Sequence, residues 1–367
     1  MAKKNNKNNF GLYIHVPFCE KKCLYCSFYS KKFSGEQDFI SWLEYIKFQL
    51  CNLKLIQREK IFIDTVYIGG GTPSVLSLRI WRELLNLISE CFNFSECREF
   101  TIEANPNTLT RDLINFWKNN NVSRISLGVQ SLNDSELKFL GRIHDAKQAL
   151  NAMELIKNSG LNLNADLIFS IPGQNLRSWH NSINGVINSG ADHISTYQLT
   201  LDENTPLGKI LNNRDLNESG YYFYRYAQYF LPKKNFIQYE ISNFSRKNFE
   251  CVHNLKYWYL NNIIALGPYS TGYLNGVRYK NFDNPKNIYY EYLTFEERAK
   301  EYAILNLRTK FGINKLNFID KFGEKILHEI ENKLINFPDD LVYNDDEKII
   351  LTKRGMRLAN YIWSEII

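Results

Sequence analysis

The chain has 367 residues, 44% of them hydrophobic and 23% charged, with 45 basic against 39 acidic residues and a formal charge of +6. That length holds a barrel-sized α/β core of roughly 200 to 250 residues plus one small domain, and so modest and scattered a positive excess argues against a nucleic-acid partner. No uninterrupted apolar stretch approaches the roughly 18 residues of a membrane-spanning helix, and the Lys- and Asn-rich residues 1–9 precede no apolar segment, which predicts a disordered tail and a cytoplasmic protein.

Short apolar, β-branched runs recur at 12–16, 65–68, 99–103, 124–129, 164–168 and 193–199, and each reads as a buried parallel strand. Between them, 39–56, 78–91, 109–119, 134–140, 146–159 and 176–189 read as helices, several with apolar residues at helical spacing. Asn133 or Asp134 is placed to cap one helix, and Gly160 to end another. Six alternations predict parallel strands joined by right-handed crossovers, either a partial (β/α)6 TIM-like barrel or a doubly wound open sheet. Past residue 230 come aromatic-rich runs, 236–244 and 263–273, expected as antiparallel strands. A helix is expected over 296–307. The segment 311–367 reads as a winged-helix-like α/β module with a hairpin around 343–351 and a helix from Lys353. The expected division is a tail at 1–9, a core at 10–235, an antiparallel extension at 236–290 and a C-terminal domain at 291–367.

Seven cysteines are an odd number, and three of them fall within eight positions while Cys51, Cys91, Cys97 and Cys251 are scattered. A disulfide framework would need an oxidising compartment, so thiolate chemistry in a reducing cytosol fits better. Cys19, Cys23 and Cys26 lie in one tight loop after the first strand and can reach three corners of a cubane. The fourth iron is then left open for chelation by an amino and a carboxylate group such as those of S-adenosylmethionine. Zinc is the alternative, with His15 or another side chain as fourth ligand, although the usual C-x2-C knuckles are absent. Further polar and glycine-rich signals follow later strands: Gly69 to Thr72, Asn105 with Pro106, Gln130 with Ser131, and 171–174. Ligands of parallel α/β folds sit at the carboxyl ends of strands, so one mouth should collect these residues.

The loop resembles the signature of the radical S-adenosylmethionine superfamily, C-x3-C-x2-C with an aromatic before the last cysteine, here Tyr25. The wider set is Tyr13 to Cys19, Gly69 to Pro73, Glu103 to Pro106, Ser126 to Ser131, Leu140 to His144, Asp166 to Gln174 and His193 to Tyr197. It is similar to the branch of HemW-type haem chaperones and oxygen-independent coproporphyrinogen III oxidases, over nearly the whole chain. The resemblance implies a [4Fe–4S] cluster on Cys19, Cys23 and Cys26. It also implies one or two S-adenosylmethionine molecules contacted by Tyr13, Tyr25, Gly70, Gly71, Thr72, Glu103, Gln130, Arg142 and Asp166. Bare glycine backbone permits close approach to a ligand, and Glu103 can accept from ammonium or hydroxyl groups. Arg142 suits a carboxylate, with an ion pair to Asp145 or Asp166 as the structural alternative.

Two departures separate the chain from the oxidase pattern. That pattern has a fourth cysteine two residues after the third, where this chain has Phe28, and a long N-terminal arm, where only 18 residues precede Cys19. His253-Asn254-Leu255-Lys256-Tyr257-Trp258 matches the H-N-x-x-Y-W motif associated with haem in the HemW-type branch. It offers an imidazole to haem iron and, in Tyr257 and Trp258, two aromatics to a porphyrin face. The structural alternative is a satisfied buried histidine beside core aromatics; Cys251 is a second ligand candidate, and Arg278 and Lys280 are candidates for the propionates. The resemblance therefore implies a haem chaperone serving apo-haemoproteins, as a homodimer, with no catalytic residue assigned. The alternatives are oxygen-independent coproporphyrinogen III oxidation and, outside porphyrins, radical methyl transfer or cyclopropanation.

Overall fold

The structure, a computed structural model, describes residues 10–57, 59–211 and 219–367; the expected tail at 1–9 lies outside them. Six strands build the core: β1 (Phe10–Val16), β2 (Ile61–Gly70), β3 (Glu99–Ala104), β4 (Arg124–Gln130), β5 (Asn162–Phe169) and β6 (His193–Gln198). They pair in parallel in sequence order, each with the next, and helices cross over between them. The expected helices are present at Glu36–Ile56, Leu78–Cys91, Arg111–Asn119, Asp134–Phe139, Ala146–Ser159 and Leu176–Asn188. Asn133 caps the fourth of these, and Gly160 ends the fifth in the left-handed conformation, where a residue without Cβ is favoured.

Side chains alternate across each strand, and the two faces differ in kind. One set, including Leu12, Ile14, Val66, Ile68, Ile102, Ile125, Leu163 and Ile194, joins Trp42, Trp81, Trp117 and Trp179 of the helices in a single apolar cluster. The other set is polar: Tyr67, Glu103, Ser126, Asp166 and Tyr197 face one shared cavity. Residues of β2 and β6 lining the same cavity means that the sheet curls around it, as a partial barrel.

The sheet extends at both edges. Ile263–Leu266 adds beside β1 in parallel, and Thr271–Leu274, Val277–Asn281 and Ile288–Tyr292 follow antiparallel. On the far side Asn243–Ser245 adds antiparallel to β6, and Ile237–Gln238 pairs antiparallel with Asn243–Ser245 in turn. The run at 263–273 was expected to be wholly antiparallel, and its first half is not: a long connection returns it beside β1. The segment 252–258, expected within the antiparallel extension, is a helix, Val252–Trp258.

A second apolar cluster lies in the C-terminal part, where Ala303, Leu307, Phe318, Ile330, Ile349 and Ile362 pack together. It joins five helices to a small antiparallel sheet of Ile313–Asn314, Lys348–Leu351 and Val342–Asn344, which includes the expected hairpin. Arg308 ties this part to the core through a 2.7 Å ion pair with Glu240, itself fully buried. No helix among the described residues is long and apolar enough to cross a membrane.

Candidate functional site

The cysteine loop leaves β1 through the two-residue strand Phe18–Cys19, which pairs with Lys31–Lys32. Its middle is pinned by two backbone bonds: the Leu24 amide donates to the Leu140 carbonyl at 3.1 Å, and the Leu207 amide to the Leu24 carbonyl at 2.9 Å. Gly141 is required at that contact, because its φ is +74° and a Cβ there would meet Leu24 Cγ at 2.6 Å. Cys19, Cys23 and Cys26 are free and half-buried.

A chain of hydrogen bonds connects two of the three sulfurs. Thr72 Oγ1 donates to Cys19 Sγ at 3.4 Å and accepts from Asn105 Nδ2 at 3.0 Å. Arg142 then donates through Nη2 to Asn105 Oδ1 at 2.7 Å and through Nη1 to Cys23 Sγ at 3.2 Å. Burial raises the Cys19 thiol and pushes Cys26 up to about 11, so the thiolate forms require a positive charge beside them. Three thiols on one wall, with hydroxyl and guanidinium donors already aimed at two of them, fit an iron–sulfur cluster, whose sulfurs accept such bonds. The zinc alternative fares worse. His15 has both ring nitrogens engaged, Nδ1 with the Tyr13 hydroxyl at 3.0 Å and Nε2 with the Tyr29 carbonyl at 2.8 Å. Among the described residues no group of three His, Cys, Asp or Glu side chains, the three cysteines included, is placed to hold a single metal ion, whereas a cubane spreads three thiolates over three irons.

A cavity of about 400 Å³ opens at the carboxyl ends of the strands, and Cys19, Cys23, Tyr25, Cys26, Gly70, Gly71, Thr72, Glu103, Gln130, Arg142 and Asp166 all line it. Tyr13 is not among the lining residues; it stands behind them with its ring 6.2 Å from that of Tyr67. Glu103 accepts from Tyr67 Oη at 2.8 Å and from the Gly70 amide at 2.9 Å, and Asp166 from Ser126 Oγ at 3.1 Å and Asn164 Nδ2 at 2.8 Å. Burial raises the pKa of both carboxyls. All these partners are neutral donors, which leaves the carboxylates free to receive an ammonium or hydroxyl groups of a ligand. That fits S-adenosylmethionine.

The triple glycine is explained by its neighbours. A Cβ at Gly69 would lie 2.7 Å from the Glu103 carboxyl carbon, one at Gly70 would lie 2.3 Å from the His15 ring, and Gly70 has φ +106°. Gln130 also holds a positive φ, 65°, without being glycine, which costs about 1 to 3 kcal/mol, and it lines the cavity. Arg142 meets neither Asp145 nor Asp166; its bonds go to Cys23, Asn105, the Gly128 carbonyl and, at 3.4 Å, His144 Nδ1. Asn105, flagged as a polar signal after the third strand, and Tyr197, within the last motif, also line the cavity, as does Tyr67, which was not singled out from sequence; its place on a strand, on the face opposite Val66 and Ile68, was the available signal.

The H-N-x-x-Y-W segment sits at the opposite end of the sheet. Its helix packs on the amino ends of the strands, with His253 only 1% exposed. His253 Nδ1 pairs with Thr65 Oγ1 at 3.0 Å, and the imidazole ring lies 5.3 Å from Tyr67 and 5.6 Å from Tyr257. Cys251 is fully buried and donates its thiol to Glu99 Oε1 at 3.3 Å. Tyr257 and Trp258 are half-buried, and the Arg308 guanidinium covers the Trp258 ring at 4.4 Å. Arg278 is occupied by Glu291 and Glu301, and Lys280 lies over the Tyr269 ring at 5.7 Å.

Comparison with known proteins places this geometry. A family model described as the radical SAM superfamily matches residues 13–184. The heme chaperone HemW of Lactococcus lactis subsp. lactis (strain IL1403) is 33% identical over 376 residues, covering 97% of this chain and 96% of the relative. The chain belongs to the HemW family of radical SAM proteins. A second HemW, from Bacillus subtilis (strain 168), is 30% identical across 97% of this chain and 98% of its own length. The solved structure of coproporphyrinogen III oxidase (HemN) from Escherichia coli superposes with a TM-score of 0.85 over 98% of this chain and 90% of that chain; at 18% identity the likeness is one of fold. Membership of the superfamily implies a [4Fe–4S] cluster and S-adenosylmethionine.

Proposed function

We propose that the chain binds haem and delivers it to apo-haemoproteins in the cytoplasm, as a homodimer. In this reading the cluster is held by Cys19, Cys23 and Cys26. S-adenosylmethionine meets Tyr25, Gly70, Gly71, Thr72, Glu103, Gln130, Arg142 and Asp166, with Tyr13 supporting from behind. The observation that carries the reading is the H-N-x-x-Y-W motif in a chain whose full-length curated relatives are named heme chaperones. His253 is the iron ligand, with Tyr257 and Trp258 beside the macrocycle. Residues 10–235 form the core, 236–290 the extension that carries the motif, and 291–367 the C-terminal domain.

A cluster with one open iron supplies, when bound, a chelation point for the amino and carboxylate groups of S-adenosylmethionine and a site for one electron. The chain's own contribution is positional. Thr72 and Arg142 orient the sulfurs of Cys19 and Cys23, while Glu103 and Asp166 present carboxylates to the ligand. Phe28 stands 69% exposed where the oxidase pattern has its fourth cysteine.

The decisive experiment incubates anaerobically reconstituted protein first with haem, then with coproporphyrinogen III and a reductant. A Soret band without porphyrin product is the expected result, and it should be lost in His253→Ala while iron content holds. Porphyrin formation would instead support the oxidase reading.

A further inference from the structure

The motif helix is fastened to the sheet at three points. At its N-terminus Glu99 accepts from the Val252 amide at 2.6 Å, the His253 amide at 3.1 Å and the Cys251 thiol at 3.3 Å. Glu99 opens β3 and is itself only 6% exposed, so a buried carboxylate meets the amide end of the helix, where negative charge is favoured. In the middle, the His253 ring is held by Thr65 and flanked by Tyr67 and Tyr257. Toward the C-terminus Lys256 Nζ meets Asp64 Oδ1 at 2.7 Å, both side chains almost fully buried. Two ring nitrogens of this helix, His253 Nε2 and Trp258 Nε1, are buried without a hydrogen-bond partner, and of the two only the imidazole nitrogen can bind iron.

Leaving a buried polar atom unpaired costs roughly 1 to 3 kcal/mol, and such an exception calls for an explanation. A nitrogen that is free to bind iron yet sealed against the sheet has one in a closed state of a binding site. In this state no flat macrocycle can reach it, because the ring is only 1% exposed, with Thr65 and Tyr67 of β2 and Tyr257 of the helix against it. We propose that Glu99 is a latch: the structure holds the closed form, and haem reaches His253 after the three Glu99 bonds open and the helix lifts from the strands. The inference rests on His253 being the haem ligand. Glu99 is then a positioning residue that acts on haem through His253, and the apparent haem affinity is the intrinsic affinity multiplied by the open fraction.

The test is Glu99→Gln, which keeps the size of the side chain, removes its charge and turns one acceptor toward the amides into a donor. Losing a charge-assisted bond should raise the open fraction about tenfold or more. Hydrogen exchange at the Val252 and His253 amides should accelerate by that factor, and haem should bind about tenfold more tightly and faster. Asp64→Asn loosens the other fastening and should act in the same direction, so it serves if Glu99→Gln does not fold. Faster exchange with unchanged haem binding overturns the latch, and so does unchanged exchange. His253→Ala separates this failure from that of the underlying reading: parental haem binding in His253→Ala defeats the ligand assignment itself. Loss of haem in His253→Ala together with parental binding in Glu99→Gln defeats the latch alone.

Discussion

Replacing Arg142 tests whether the hydrogen-bond chain between Cys19 and Cys23 holds the cluster loop in shape. In Arg142→Ala the bonds to Cys23 Sγ, Asn105 Oδ1 and the Gly128 carbonyl vanish together. A hydrogen bond from a charged group contributes about 1.5 to 3 kcal/mol, and each buried acceptor left without a donor costs about 1 to 3 more. Against this stands the relief of desolvating a guanidinium whose Nε is buried without a partner. Because these bonds, and a longer one to His144 Nδ1, share one side chain their contributions do not add, and a net loss of about 2 to 4 kcal/mol follows. Cluster loss to a chelator should therefore accelerate at least about thirtyfold. Arg142→Lys should fall between, since one ammonium keeps the charge but cannot bridge Cys23 and Asn105 with a planar fork. The assay follows the visible absorption of anaerobically reconstituted protein after chelator addition, beside the melting temperature without iron. Parental loss rates in both variants would refute the reasoning.

Reconstituted parent protein should carry about four irons per chain, and Ala at Cys19, Cys23 or Cys26 should abolish retention, checked by iron and sulfide analysis. Gly70→Ala should lower the melting temperature by several degrees, as a 1 to 3 kcal/mol defect does in a domain of this size, because its Cβ would enter the His15 ring at 2.3 Å in a backbone conformation with φ +106°. His253 supplies a pH test: burial, with the Lys256 and Arg124 charges adding to it, lowers its pKa to about 3. Between about pH 6.5 and pH 3 the unfolded chain takes up a proton that the folded one refuses, so this residue makes stability fall as pH falls, by about 1.4 kcal/mol per pH unit. His253→Gln should flatten the acid limb of denaturant-derived stability by that slope, and an unchanged slope would contradict a neutral buried imidazole.

Six strands and six helices were legible because each carries its own signal. Alternating apolar residues such as Leu12, Ile14, Val66 and Ile68 mark one face, and Asn133 and Gly160 mark helix ends. The pairing of Ile263–Leu266 with β1 was not legible, since periodicity does not report which partner a strand takes or in which direction. The helix Val252–Trp258 was hidden for a different reason. Seven residues with two aromatics hold little intrinsic helical preference, and the cap that starts it is a carboxylate more than 150 residues away. At the cavity, the residue types that suit a ligand were visible, but their internal bonds were not. Arg142, expected to face a ligand carboxylate, is committed to Cys23 and Asn105, and Tyr13 stands behind the lining because its hydroxyl is taken by His15.

The two ends of the sheet carry different chemistry, and one side chain spans the distance between them. Tyr67 donates its hydroxyl to Glu103 in the cavity, while its ring lies against His253 under the motif helix. Glu103 in turn accepts from the Gly70 amide, on the glycine turn that leads to Thr72 and so to Cys19. A ligand that draws the Glu103 carboxylate toward the cavity pulls on the hydroxyl of Tyr67, and a helix that lifts His253 away removes the surface against which the Tyr67 ring rests. Close-packed side chains have few alternative positions, and Tyr67 is in contact with both ends at once. The cavity and the H-N-x-x-Y-W helix thus draw their residues from opposite ends of the same strands, and Tyr67 touches both. Coupling of this kind is reciprocal as a matter of thermodynamics: if occupancy of the cavity alters the affinity at the motif, occupancy of the motif alters the affinity in the cavity by the same factor.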